Sequence, residues 1–350
     1  MLKTGHNNSR DKLAIIAISL KQQYSDKRAS KMTANLNTNL NFSQQECPVT
    51  LEFDISNSTR FPKSAIPTWI AVSVISGVMA VPTFWINLLV IWTILENESL
   101  RSLNYNLILA ILALTDLLVG LVVNPLFIAF NICVTLGCAS DCDLTTTYLV
   151  VVVLCTGWSI GTLMIASVER YLAIEYPLYY NTKVSTRNLL AAVAVTWLLA
   201  VITLLFRLMF DDSYKTKQIS RVLYLGISLS VVLYCTSKVS KTAHRQMKSI
   251  NAQQIALQGA STTADRIKEY KRTFALASIV LISIIFYCPF IIIKVILLAN
   301  GKEWNSELKY VMPSISMVFV HLQSVVNPIV YSIRLSYIRV GVVKKLFCRS

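Results

Sequence analysis

The sequence predicts an all-α membrane protein: a seven-transmembrane helix bundle with a short amphipathic helix after the seventh span. Three observations carry this. Of the 350 residues, 54% are hydrophobic and only 15% charged, against about 45–50% and about 25% in an average soluble domain. Seven windows are almost free of charge: 64–95, 102–140 with Asp116 alone, 144–168, 188–206, 222–237, 273–298 with Lys294 alone, and 310–333, which contains His321. Finally, lysines and arginines divide unequally between the two sides of the bundle that these windows would form.

About 20 apolar residues cross a bilayer core as a helix, and the apolar runs are continuous rather than alternating, which argues against a barrel. The spans are read as 68–95, 104–131, 144–171, 188–209, 218–242, 272–299 and 309–333. The fifth is the weakest; it requires Arg221 and Lys238 to extend toward the headgroups. With the amino terminus outside, the inner loops and tail hold seventeen lysines and arginines and the three outer loops six. Positive residues stay cytoplasmic, so the net charge of +15 mostly records topology. It does not indicate nucleic acid; attraction of the inner face to anionic lipid is a second reading.

Residues 1–67 are polar and read as an extracellular, largely disordered, glycosylated segment, with sequons at Asn7, Asn41 and Asn57. A fourth sequon, at Asn97, falls in an inner loop and is expected to be silent. The apolar run Leu13–Leu20 is too short to span and is followed by Lys21 and Gln22, so no cleaved signal is expected. Translation from Met1 and from Met32 both remain open. Residues 68–333 form the transmembrane domain, and 334–350 the amphipathic helix and a short cytoplasmic tail.

Of eight cysteines, Cys155, Cys235 and Cys288 lie within spans, and Cys47, Cys133, Cys138 and Cys142 can face the oxidising side. There is no metal-ligand spacing, phosphate loop or nucleophile elbow, and only three histidines. No enzyme is expected, and no cofactor.

Polar residues inside spans are expensive and are functional candidates by default. The third span ends Ser167-Val168-Glu169-Arg170-Tyr171, followed by Tyr176-Pro177-Leu178-Tyr179. The seventh ends Asn327-Pro328-Ile329-Val330-Tyr331. The second carries Leu112-Ala113-Leu114-Thr115-Asp116, the fourth Trp197 and the first Asn87. In this order, one fragment per helix, the chain resembles the rhodopsin-like (class A) G-protein-coupled receptors over residues 68–348. Its tail from Tyr331 to Cys348 looks most like the melanocortin receptors. The wider likeness is to the melanocortin, adenosine, cannabinoid and lysophospholipid cluster.

The resemblance implies a plasma-membrane receptor, amino terminus outside and carboxyl terminus inside, that responds to an extracellular ligand by activating a heterotrimeric G protein; arrestin is a further implied partner. Glu169 and Arg170 would form its switch, with Glu269 at the foot of the sixth helix as a second acid latching Arg170. Tyr171, Pro177 and Leu178 would help form the partner surface, and Tyr234, Asn327, Pro328 and Tyr331 would move on activation. Asp116, Ser159, Ser324 and Asn327 would hold an allosteric sodium ion at Asp116, although Gln323 stands where an asparagine is common. Pro289 and Pro328 would kink the sixth and seventh helices. Tyr287 replaces the usual tryptophan trigger, and Ser283 a usual phenylalanine. Cys348 resembles a palmitoylation site.

Ligand expectations are mostly negative. Val152 stands where amine receptors carry a carboxylate, and Lys294 where adenosine receptors carry an asparagine. His321 stands where opsins carry the retinal lysine, which argues against the photoreceptor rival. A transporter would need inverted repeats or more polar spans. The second outer loop has no cysteine and Thr145 stands at the usual helix position, so pairing among Cys47, Cys133, Cys138 and Cys142 stays undecided. The positive expectation is a pocket of Val152, Tyr287, Lys294, His321 and Arg207 whose cationic groups favour an anionic lipid or metabolite. A ligand-independent, constitutively active receptor or scaffold is the alternative.

Overall fold

The computed structural model describes residues 63–136, 142–209, 214–256, 280–296, 298–299 and 306–346. All belong to one compact unit extending over Pro48–Ser350. Asn7, Asn41, Asn57, Glu269, Cys47, Cys138 and Cys348 lie outside the described residues, as do the side chains of Arg207 and Cys142.

Helix α1, Ile66–Glu96, opens with Pro67 in its first turn, where a missing N–H is harmless. At its other end Asn97 turns the chain: its Oδ1 accepts from Ser99 N at 3.1 Å and from Ser99 Oγ at 2.7 Å, starting the one-turn helix α2, Glu98–Arg101. The next span is three pieces without a break. Helix α3, Asn104–Leu118, passes through a π-helical turn, Val119–Val123, into α4, Asn124–Leu136. Then come α5 (Cys142–Glu175), the short α6 (Pro177–Lys183), α7 (Thr186–Met209), α8 (Tyr214–Ala256), α9 (Val280–Ile296), α10 (Ser306–Arg334) and α11 (Ser336–Leu346).

Six of the helical spans are long and apolar enough to cross a membrane, and α9 is a shorter apolar helix. With α9 counted, the seven expected spans are all present as helices. Several limits shift: α4 runs to Leu136 rather than 131, α5 to Glu175 rather than 171, and α8 from Tyr214 rather than 218 to Ala256, well past 242. Pro289 and Pro328 end neither of their helices; α9 and α10 continue through them. Each costs one internal hydrogen bond, which packed neighbours can absorb in a membrane helix.

Helix α5 is the spine, packed against α3, α4, α7 and α8, while α1 packs on α3, α4, α10 and α11. One apolar cluster, with Phe127, Phe130, Tyr148 and Phe290, fills the half of the bundle away from Arg170. A second, with Val90, Ile94, Leu109 and Tyr331, binds α11 through Ile338 and Val342, with Leu335 just before it. Two close approaches need glycine. A Cβ on Gly120, in the π turn, would lie 2.8 Å from Phe84 N and 3.0 Å from Ala80 O of α1. One on Gly341 would press into the Thr93 side chain, so α11 rests closest on α1 with no side chain there.

Candidate functional site

Helix α5 carries Glu169 and Arg170 to the end of the bundle, and both are nearly fully buried. Arg170 turns onto its neighbour: Nε donates to Glu169 Oε2 at 2.5 Å, and a terminal guanidinium nitrogen donates to Oε1. Its guanidinium also lies 4.7 Å from the centroid of the Tyr105 ring. The Tyr180 hydroxyl, from α6, donates to Glu169 Oε1 at 2.5 Å. Behind it, Asn104 Nδ2 reaches Tyr180 Oη at 3.4 Å, and Thr186 Oγ1 donates to Asn104 Oδ1 at 2.7 Å. Burial, then the Glu169 carboxylate, push the Tyr180 phenol up to about 12, so it remains a donor. The buried carboxylate is thus held by three charge-assisted bonds.

Tyr171 meets Tyr176 and Tyr234, each with ring centroids 5.9 Å apart. Tyr234 is exposed on α8 with Lys238 over its ring, whereas Tyr331 is buried and its hydroxyl has no hydrogen-bond partner among the described residues. Pro177 opens α6, and Leu178 projects freely at 83% exposure. The chain therefore brings Glu169, Arg170, Tyr171 and Tyr234 to one end. Glu269, the expected second acid, is outside the described residues.

Asp116 is fully buried at the centre of a polar chain linking four helical spans. Ser324 Oγ donates to its Oδ1 at 2.8 Å and Asn327 Nδ2 to its Oδ2 at 2.9 Å. Ser283 Oγ donates to Asn327 Oδ1 at 3.2 Å, and Gln323 Nε2 to Ser283 Oγ at 3.4 Å. Asn87 Nδ2 ties the cluster to α1 through Ser324 O at 3.0 Å. Ser159 Oγ and Asn87 Oδ1 are buried without a partner among the described residues. The carboxylate and these spare oxygens are hard donors of the kind sodium takes, so the residues present fit the ion.

In the opposite half, Phe290 of α9 is flanked by two cations. Arg221 of α8 lies 4.9 Å and Lys294 of α9 5.0 Å from its ring centroid. Tyr148 stacks on Phe130 at 5.2 Å and meets Phe127 at 5.8 Å. Val152 and Tyr287 are buried in the same apolar cluster. His321 stands edge-on to Phe127 at 5.1 Å rather than on Phe290.

Sequence reasoning missed Arg221, expected to reach for headgroups; it turns inward because an aromatic face attracts the guanidinium. It also missed Tyr180, Ser283 as an Asn327 partner, and Tyr224. The Tyr224 hydroxyl donates to Gly157 O at 3.0 Å and Thr196 O at 3.2 Å, tying α8 to α5 and α7. Of the cysteines, Cys155, Cys235 and Cys288 are free and Cys133 is disulfide-bonded, with its partner outside the described side chains.

Comparison with known proteins matches the model for the 7 transmembrane receptor (rhodopsin family) over residues 86–331. The chain is 26% identical to adenosine receptor A2b of Gallus gallus over 321 residues, covering 81% of this chain and 90% of that protein. It is 26% identical to adenosine receptor A3 of Bos taurus, covering 80% and 89%. It is 27% identical to the histamine H2 receptor of Rattus norvegicus, covering 75% of each chain.

Proposed function

Because the chain belongs to the rhodopsin family of seven-transmembrane receptors, and is a receptor rather than an enzyme, we propose that it senses an anionic ligand at the plasma membrane. The amino terminus would be outside and the Arg170 end cytoplasmic. The observation that carries the ligand class is the pair of cations on Phe290. A guanidinium and an ammonium on one ring give this half of the bundle a cationic wall, and cationic groups in an apolar surrounding favour an anionic ligand. A carboxylate- or phosphate-bearing lipid or small metabolite is the fitting class.

The relatives are named for adenosine and histamine. Neither ligand supplies a negative charge, and the residues argue against both. Val152 offers an amine no counter-charge, and Lys294 is a donor only, where a nucleobase would need a group that also accepts.

At the other end, the Glu169–Arg170 pair is the switch. Ligand binding would shift the bundle toward a state in which Arg170 leaves Glu169 and the Tyr105 ring and faces a heterotrimeric G protein, with arrestin as a second partner. Leu178, Tyr176 and Tyr179 are exposed beside it as docking side chains. Asp116, Ser324, Asn327 and Ser159 would bind sodium and favour the resting arrangement.

The test is a potency screen of carboxylates and phosphates in cells carrying G-protein activation sensors, wild type against Lys294→Met and Arg221→Met. Loss of potency by tenfold or more for an active anion in both variants supports the reading; unchanged potency in both rejects it. Ligand-free activation, wild type against Arg170→Ala, tests coupling itself. If neither chain differs from mock cells in any G-protein pathway and no anion acts, the ligand-independent scaffold reading takes its place.

A further inference from the structure

Glu169, the acid of the switch, ends a directed chain of hydrogen bonds that begins on the surface. Thr186 Oγ1 donates to Asn104 Oδ1 at 2.7 Å, Asn104 Nδ2 to Tyr180 Oη at 3.4 Å, and Tyr180 Oη to Glu169 Oε1 at 2.5 Å. Thr186 opens α7 and Asn104 opens α3, while Tyr180 lies on α6 and Glu169 on α5. Every donor points the same way. A threonine hydroxyl has one proton, and a carboxamide donates from its nitrogen and accepts at its oxygen. The Thr186 proton therefore sets which way the Asn104 amide faces. That amide in turn leaves the Tyr180 proton to Glu169.

The first atom of the chain is accessible. Lys183, Ser185, Thr186 and Arg187 are all exposed where α6 passes into α7. Lys183 stands three residues before Thr186 and Arg187 directly after it. A basic flank complements an acidic substrate groove, and cations on both sides favour a bound phosphate. The neighbouring Ser185 is engaged differently: its Oγ accepts from Asn188 N at 3.2 Å, at the start of α7.

We propose that Thr186 is a phosphorylation site, used by a basic-directed protein kinase with ATP, and that its phosphate reverses the chain and loosens the Glu169–Arg170 switch. In the transfer, Thr186 Oγ1 bonds to the γ-phosphorus, the bond from that phosphorus to the ADP oxygen breaks, and the hydroxyl proton passes to the kinase's base. The phosphate oxygens accept rather than donate, so Asn104 Oδ1 loses its donor. The Asn104 amide turns over and offers Nδ2 to the phosphate. Its Oδ1 then faces Tyr180, whose single proton has two acceptors instead of one. Glu169 keeps Arg170 but loses part of its bond from Tyr180. Kinase access and the consequence for signalling rest on the cytoplasmic placement and coupling proposed above; the reversal rests on the hydrogen bonds alone.

The test begins with the full chain purified from cells in which phosphatases are inhibited, mapped by mass spectrometry. Phosphate is expected on Thr186, and is expected to be absent after phosphatase treatment and from Thr186→Val. No phosphate at Thr186, or phosphate at Ser185 alone, overturns the site. Phosphorylated and phosphatase-treated chains are then melted, as wild type and as Tyr180→Phe. The phosphate should shift the two melting temperatures by different amounts, because only the wild type has a Tyr180 proton to redirect. Equal shifts overturn the reversal.

Ligand-free nucleotide exchange on a purified heterotrimeric G protein reads the switch. The phosphate should raise the wild-type rate by about two- to fivefold, less than removal of the Tyr180 hydroxyl, because the carboxylate remains the stronger acceptor. It should add nothing in Tyr180→Phe or in Asn104→Ala. An unchanged wild-type rate in a chain that does exchange nucleotide, or an equal rise in Tyr180→Phe, overturns the proposal. If the melting temperatures behave as expected but no form of the chain drives exchange, the reversal stands and the coupling proposed above fails instead.

Discussion

Removing the hydroxyl of Tyr180 should release the switch without touching it. In Tyr180→Phe the ring and its packing on α6 remain; the bond to Glu169 Oε1, 2.5 Å long, is lost, together with the long 3.4 Å contact from Asn104 Nδ2. Glu169 is 1% exposed, so its carboxylate gains no water in exchange. A hydrogen bond to a charged group contributes about 1.5–3 kcal/mol. Tyr180 is half-buried, and in the free phenol state water replaces part of what is lost. The lower end is therefore the expected effect, about 1.5 kcal/mol, or roughly tenfold in the ratio of released to latched receptor. The assay is ligand-free nucleotide exchange on purified heterotrimeric G protein, in membranes matched for receptor number. Wild type and Tyr180→Phe are compared alone and in an Arg170→Ala background. The expected result is a several-fold rise for Tyr180→Phe that disappears when Arg170 is absent. A basal rate equal to or below wild type, or the same rise in both backgrounds, would refute the idea that Tyr180 acts through the Glu169–Arg170 pair.

Four further outcomes are expected. Gly120→Ala should destabilise the chain by about 1–3 kcal/mol in thermal unfolding, because its Cβ would press on Phe84 N and Ala80 O, which belong to backbone and cannot rotate away. Gly226→Ala meets nothing within 4 Å and should leave stability unchanged or raise it by up to about 1 kcal/mol, as glycine-to-alanine changes do inside helices. Sodium should raise the melting temperature of the wild type relative to a bulky organic cation at equal ionic strength, and Asp116→Asn should abolish the difference; equal melting in both salts would remove the ion from the account. Glu269→Ala should raise ligand-free signalling if that acid latches Arg170, and an unchanged basal rate would leave Glu169 and Tyr180 as the restraints.

Much of this was legible in residue order. Charge-free windows found seven spans because the bilayer penalises charge wherever it falls, irrespective of packing. Asp116, Ser324 and Asn327 were foreseen together, and the chain joins them at 2.8 and 2.9 Å. The misses share a cause: they depend on helix rotation and on contacts between distant elements. Arg221, near the start of a weak span, reads as an anchor in sequence, and only the direction α8 faces turns it onto Phe290. Tyr180 is one of several tyrosines after the third span, and nothing in its spacing from Glu169 marks it. Ser283 was read as the loss of a phenylalanine, but its hydroxyl reaches Asn327 at 3.2 Å.

The π turn at Val119–Val123 gives the second span a property that side chains alone do not. It holds one residue more than an α-helix of equal rise would. Deleting any one residue there would let the helix close into regular α geometry. Because the extra residue is taken up within the turn, Asn124, Phe127 and Asn131 beyond it keep the facing they would have in a regular helix, and Phe127 stays against His321. A one-residue loss elsewhere in the span would rotate everything beyond it by about 100°, the turn per residue of an α-helix, whereas a loss within Val119–Val123 would leave Asp116 on one side and Phe127 on the other in place. This segment can therefore shorten by one residue without re-aiming either end of the span, and its length carries information that residue identity does not.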